Sequence, residues 1–292
     1  MANNYANILQ SLNDGYTIEQ LPDLGIRQSE IQNFLQYIDE AGLTIDNAKA
    51  LNMYSYNSEI ILAIKNDTKS TYELESDIRA SATELLEQRG LTTPQINKAL
   101  GFVEDTDYNR PLYQNFAEAK EFFAEHEIPK SALPTINTAI KETDTVRRAE
   151  SIVSEIDDAL SKSTLSESID LYRAIKLPRA DASNVLDTLV VDNPGYTSTS
   201  PEYESSFAKY EDYNVVLKMH APEGTHGIAL EPFSDYDSVE KEVLLGANRL
   251  EVSNVSDVID NDGNDKTLVE GEVVDCVAEA SANCEVGGFE LE

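Results

Sequence analysis

Basic residues are scarce in this chain. Only 22 Lys and Arg stand against 54 Asp and Glu, which gives a formal net charge of −32 over 292 residues. Binding a phosphate backbone needs clustered Lys and Arg. The sequence offers no such cluster, so nucleic acid is excluded as a partner, and an anionic membrane surface is excluded for the same reason. No apolar run approaches the ~20 residues of a membrane span. The opening Met1-Ala2-Asn3-Asn4 does not read as a signal peptide, so an intracellular or virion-associated protein is expected.

Sulfur and imidazole are sparse too. Cys276 and Cys284 could close a small loop, but free thiols are the expected state. Two thiols without a nearby histidine make a poor zinc site. His126, His220 and His226 are scattered, and the last two bracket Ala221-Pro222-Glu223-Gly224 and read as turn residues. No metal is expected. The chain also lacks a P-loop, a G-x-G-x-x-G after a strand and a G-x-S-x-G nucleophile elbow, so any dinucleotide would be bound without a Rossmann fold.

The acid excess runs from end to end, and hydrophobic residues still make up 41%. This is the composition of a folded protein with an acidic surface, not of a disordered tail. Repulsion among so many carboxylates destabilises the compact state in dilute buffer, whereas high salt screens it. A haloarchaeon or its virus is therefore the expected source, with an ordinary acidic mesophilic enzyme as the alternative. The length permits a substantial core in one large or two small domains.

Residues 1–165 read as helical. Ile31, Phe34, Leu35 and Ile38 fall at i, i+3, i+4 and i+7; Ser29 with Gln32 forms a capping box, and Gly42 supplies a left-handed stop. Thr93-Pro94 reads as a cap followed by proline. Helices are also expected over Ala117–His126 and Ala149–Lys162. The similar runs Gly42-Leu43-Thr44 and Gly90-Leu91-Thr92 read as two like helix starts, not a duplication. After residue 165 the period changes to that of strands: Ile169–Ile175, Tyr196–Ser198, Tyr213–His220, Gly227–Leu230, Lys241–Leu245, Arg249–Val255 and Leu268–Val274. Asp192-Asn193-Pro194-Gly195, Ala221-Pro222-Glu223-Gly224 and Asn261-Asp262-Gly263-Asn264 read as turns. Helices followed by strands predict an α+β fold with a mainly antiparallel sheet region.

Three motifs stand out in that second half. Leu171-Tyr172-Arg173-Ala174 sets an arginine in a short strand. Gly195-Tyr196-Thr197-Ser198-Thr199-Ser200-Pro201 follows, and then Glu240-Lys241-Glu242 opens the apolar run Val243-Leu244-Leu245. On a strand, Glu240 and Glu242 would project from one face as two close like charges. Arginine, aromatic-x-Ser-Thr-Ser and Glu-x-Glu in this order resemble the Arg-Ser-Glu class of mono-ADP-ribosyltransferases, which includes toxin and phage exoenzymes. The resemblance covers roughly residues 105–275. It implies a helical N-terminal region (1–104), a catalytic domain of two packed sheets with flanking helices (105–278) and an acidic C-terminal tail (279–292).

The resemblance also implies a reaction: ADP-ribose is transferred from NAD to a protein side chain, and nicotinamide is released. Glu242 would stabilise the ribosyl cation and bond the ribose hydroxyl. Glu240 would orient an acceptor arginine and take its proton, since Glu-x-Glu accompanies arginine acceptors in the family. Arg173 would grip the NAD diphosphate, and the Ala174 N–H would meet the carboxamide, in a position where the family usually has glycine. Ser198 would hold Glu242 from the floor of the cleft. Phe207 would pack on nicotinamide or adenine, and Phe233 and Tyr236 would lie in the target-recognition turn. The partner is then a target protein carrying an acceptor arginine, with the N-terminal helices free to dock a host or virion protein. An NAD glycohydrolase and a catalytically silent scaffold of the same fold remain as alternatives.

Overall fold

The structure is a computed structural model that describes residues 5–104, 116–176, 190–206, 213–234, 241–260 and 262–277. Its helices are α1 (Ala6–Asn13), α2 (Gln28–Glu40), α3 (Ile45–Lys65), α4 (Thr71–Gln88), α5 (Thr93–Glu104), α6 (Phe116–Glu125) and α7 (Leu133–Lys162). Strands follow: β1 (Ile169–Ile175), β2 (Val190–Asn193), β3 (Thr197–Thr199), β4 (Val215–Ala221), β5 (Gly227–Ala229), β6 (Val243–Leu245), β7 (Asn248–Ile259) and β8 (Asp265–Asp275). The fold is α+β, as the change of period predicts.

The apolar stripe of α2 is buried at Ile31, Phe34 and Ile38. Its start differs from expectation. The helix begins at Gln28, and the Arg27 N–H donates to Glu30 Oε2 at 3.1 Å, so the cap sits two residues before Ser29. A carboxylate is a stronger acceptor than the Gln32 amide, and Glu30 also binds the Arg27 guanidinium. Likewise Thr92, not Thr93, caps α5: its N–H and hydroxyl both donate to Gln95 Oε1, at 2.8 and 2.9 Å. Gly42 (φ 69°) and Gly90 (φ 81°) both take the left-handed conformation that ends a helix, in keeping with two like helix starts.

Helix α7 runs for 30 residues and begins at Leu133 rather than Ala149. Charged residues between Lys141 and Arg148 hide its pattern. Thr143 and Thr145 occupy buried positions in line with Ile136, Ala139, Ile140 and Val146, and Thr145 satisfies its hydroxyl on the Lys141 carbonyl at 2.8 Å.

The strands form a five-stranded sheet in the order β1-β4-β8-β7-β2 and a three-stranded sheet in the order β3-β6-β5. All pairs are antiparallel except β4 with β8. Asp192 and Asn193, expected in a turn, belong to β2. Arg249 Nε binds Asp192 at 2.7 Å and Asn193 binds Asn248 at 3.0 Å, so cross-strand partners hold residues of low strand propensity in the ladder.

One face of the small sheet, with Val243 and Leu245, packs on Leu171, Leu217, Met219 and Leu250 of the large sheet. Its other face, with Ile228 and Leu244, packs on α1–α3 and the C-terminal half of α7. A separate cluster joins α4, α5 and α6 to the N-terminal half of α7. Helices α1–α3 thus cover the small sheet directly.

The remaining sparse residues are accounted for locally. Cys276 is disulfide-bonded, which overturns the free-thiol expectation for it, and Cys284 lies outside the described residues. His220 and His226 each bind a carboxylate, Asp170 at 2.9 Å and Asp275 at 2.7 Å, while His126 stacks on Phe122 at 4.2 Å. Among the described residues there is no cluster of three or more His, Cys, Asp or Glu that could hold a metal. No helix among them is long and apolar enough to cross a membrane.

Candidate active site

The two sheets meet edge to edge. β1 and β3 are each the outer strand of their own sheet, and Tyr172 and Ser200 join them by a pair of main-chain hydrogen bonds of 2.7 and 2.9 Å. The N–H and C=O of Tyr172 therefore point away from β4. Alternation along the ladder turns the N–H of Ala174 to that same outer edge, beside the junction.

Arg173 lies between those two residues and faces the other way from them. Ile169, Leu171 and Ile175 share its face and pack in the core between the sheets, so Arg173 carries a charge into an apolar layer. The residue keeps some exposure. Loss of hydration at its guanidinium lowers its pKa from the ordinary arginine value, and the Tyr54 hydroxyl and the Glu242 carboxylate oppose that shift.

Ser198 sits mid-strand in β3, opposite Leu244. Its neighbours face the sheet core. Thr199 donates to the Val243 carbonyl at 2.7 Å, and Thr197 accepts from Asn248 at 2.9 Å. Ser198 projects from the opposite face, toward the helices, on the side of Tyr196 and Leu244. Ser200 accepts from the Glu202 N–H at 3.1 Å, which fixes the corner after the strand.

Glu242 stands immediately before β6, partly buried, and its carbonyl accepts from the Leu230 N–H at 2.9 Å. The expected strand begins at Lys241, but the structure starts it at Val243. Lys241 has φ 45°, a left-handed conformation, and its ammonium pairs with Glu202. Strand alternation therefore does not run back through Lys241. Glu240, Tyr236 and Phe207 lie outside the described residues.

Phe233 is described, and it is not at a surface. Its ring is 0% exposed and lies 6.0 Å from that of Tyr37 on α2, within the core under the N-terminal helices. A target protein has no access to it in this arrangement. Pro232 beside it accepts from the Tyr5 N–H at 2.8 Å, so the turn is bound from both sides by the first helices.

The residue that sequence reasoning missed is Tyr54. It lies on α3, 1% exposed, with its ring edge-on to Tyr196 at 5.8 Å. Burial raises its pKa well above the usual phenol value; Glu242 raises it further and Arg173 opposes. Its hydroxyl is buried and has no hydrogen-bond partner among the described residues. The helical stripe of α3 marks Tyr54 as a core position, but nothing local ties it to Arg173 or Glu242. Tyr54, Arg173 and Glu242, from three distant parts of the chain, thus come within electrostatic reach of one another. A partly dehydrated cation with a carboxylate in reach suits an anionic ligand that develops positive charge on reaction.

A family model described as ADP-ribosyltransferase exoenzyme matches residues 95–275, well over half of the chain. Among solved structures the chain is similar to C3larvin toxin, an ADP-ribosyltransferase from Paenibacillus larvae, at 21% identity, 44% of this chain, 78% of that chain and a TM-score of 0.34. It is similar to Plx2a, an ADP-ribosyltransferase toxin from the same bacterium, at 17% identity, 70% and 98% coverage and a TM-score of 0.37. The enzymatic component C2-I of the C2-toxin from Clostridium botulinum matches at 15% identity, 63% and 43% coverage and a TM-score of 0.37. No curated protein matches the chain. On the family model, the chain belongs to the ADP-ribosyltransferase exoenzyme family.

Proposed function

We propose that this member of the ADP-ribosyltransferase exoenzyme family transfers ADP-ribose from NAD to an arginine side chain of a target protein and releases nicotinamide. The observation that carries the reading is that Arg173 loses hydration inside the apolar layer while the Glu242 carboxylate lies within electrostatic reach of it. A dinucleotide brings a diphosphate for the cation. Its bond to nicotinamide breaks through an oxocarbenium-like ribosyl cation, which needs a carboxylate beside it.

In this reading Arg173 grips the diphosphate through its fork of donors. The Ala174 N–H, turned to the open edge of β1, meets the carboxamide. Glu242 bonds the nicotinamide ribose and stabilises the cation as the bond from C1′ to the nicotinamide nitrogen breaks. Ser198 supports Glu242, and Phe207 packs on nicotinamide or adenine. Glu240 orients the acceptor guanidinium and takes the proton it loses when its nitrogen bonds C1′. Tyr236 is assigned to target recognition; Phe233 is left to the core. The Glu240-Lys241-Glu242 sequence supports arginine as the acceptor.

The division at residues 104 and 278 belongs to the same reading, with the first segment free to dock a host or virion protein through its outer face. The net charge of −32 supports a high-salt setting such as a haloarchaeon or its virus, although the solved relatives named above are bacterial. The test is nicotinamide release from NAD in high salt, with and without an arginine acceptor. Acceptor-dependent release and labelling of arginine are expected. Release to water alone would make the protein a glycohydrolase, and no release would make it a silent scaffold.

A further inference from the structure

Lys241 stands between the two glutamates of Glu240-Lys241-Glu242, where its ammonium meets a like charge whenever a cationic acceptor approaches. On a regular strand it would project from the face opposite to both glutamates. Its left-handed backbone, φ 45°, takes it out of that alternation, and its ammonium reaches across to pair with Glu202. Glu202 belongs to the neighbouring strand end. β3 pairs with β6 as far as Thr199 opposite Val243, and the ion pair closes the ladder where the two chains leave it. The Glu202 N–H donates to Ser200 Oγ at 3.1 Å, and Ser200 makes the main-chain junction with Tyr172, next to Arg173. The pair therefore sits at the rim of the site, one residue from Glu242. Both side chains stay open to solvent, Lys241 at 46% and Glu202 at 50% exposure, so their charges act on whatever arrives.

We propose that Glu202 is a specificity-determining residue for the acceptor: it neutralises Lys241 and so admits a guanidinium beside Glu242. The inference rests on the arginine-transfer reading above and deepens it, because it assigns the residue that governs which acceptor charge is tolerated. The physical argument is one of sign. An ammonium without a counter-charge repels a guanidinium and attracts the diphosphate of NAD, and like charges brought together at an interface select against a partner. A carboxylate in contact with the ammonium cancels that field for both ligands. Loss of Glu202 therefore moves the two substrates in opposite directions, which a general disturbance of the site does not do.

The test is Glu202→Gln, which removes the charge and keeps the shape. KM is measured for NAD and for acetyl-arginine amide, whose only charge is its guanidinium, on the full chain at 0.1 M and 1 M salt. Wild-type protein must transfer to this acceptor; if it does not, the functional reading fails, and this inference fails with it. Given that control, Glu202→Gln is expected to raise the acceptor KM by roughly threefold to tenfold at 0.1 M salt, while KM for NAD stays equal or falls. The rise should shrink at 1 M salt, where the Debye length is ~3 Å instead of ~10 Å. Adding Lys241→Gln to the first substitution should bring the acceptor KM back toward wild type. The melting temperature of Glu202→Gln should not fall, because so exposed a pair contributes little to folding. If the acceptor KM is unchanged, if both KM values rise together, or if the double variant does not recover, Glu202 does not set acceptor charge and the proposal is overturned.

Discussion

Asn52 on α3 and Phe233 before β6, both fully buried, are joined by a hydrogen bond of 2.6 Å from the Asn52 side chain to the Phe233 carbonyl. Asn52 also accepts from Asn13 Nδ2 at 3.0 Å, so one amide ties α1, α3 and the turn ahead of Glu242. Asn52→Ala removes the partner of a buried carbonyl and is expected to cost ~1–3 kcal/mol. Phe233→Ala should cost ~3–5 kcal/mol through the cavity it leaves. Urea midpoints with unchanged slopes would measure both. An Asn52→Ala midpoint equal to wild type would mean that α3 is not held to the site through this bond.

Arg173 is expected to carry much of the NAD affinity. Charge-assisted bonds are worth ~1.5–3 kcal/mol, so Arg173→Ala should weaken binding at least about tenfold. Arg173→Lys should restore only part of it, because a point charge cannot reproduce the fork. Calorimetry with NAD decides. Unchanged affinity in the alanine variant would reduce Arg173 to an internal counter-charge for Glu242.

The two glutamates should separate by reaction. Glu242→Gln is expected to abolish both transfer and hydrolysis of NAD, since both pass through the ribosyl cation. Glu240→Gln should lose arginine transfer by ~10²–10⁴-fold while slow nicotinamide release to water survives. Nicotinamide release with and without an arginine acceptor reads both. Normal transfer by Glu240→Gln, or equal loss of hydrolysis in the two variants, would sink this division of roles.

Mild acid should stabilise the fold. Burial raises the pKa of Asp14 and of Glu142 above their ordinary values. Their charged forms therefore cost stability above the folded-state pKa, and that cost is gone below the unfolded-state pKa. The exposed Asp170 and the half-buried Glu270 are shifted down, by a bond to His220 and a bond to Asn254 respectively, and lose their small benefit only at lower pH. At fixed salt the melting temperature should rise as pH falls from about 7 to about 5, and decline only below about 4, where the remaining carboxylates protonate. A steady fall from pH 7 downward would contradict this ordering.

Salt should act in the same direction. With a net charge of −32, carboxylate repulsion weakens as the Debye length shrinks from ~10 Å at 0.1 M to ~3 Å at 1 M. The melting temperature should rise between those conditions. A flat or falling trend would remove the high-salt reading of the composition.

The sequence by itself determined what depends on near neighbours. The stripe of α2, the left-handed stops at Gly42 and Gly90 and the strand carrying Arg173 follow from side-chain periodicity and backbone sterics, which act within a few residues. Signals of the same range misled where a partner came from afar. Asp192 and Asn193 look like a turn until Arg249 and Asn248 hold them in β2, and the threonines of α7 look polar until its neighbours bury them. Lys241 reads as extended within an apolar run, yet the chain turns left-handed there and the strand starts later. That Tyr54 and Glu242 come within electrostatic reach of Arg173 was decided by tertiary structure alone. It depends on α3 packing over the small sheet while β1 and β3 join at their edges, and no local pattern encodes which distant faces bury one another.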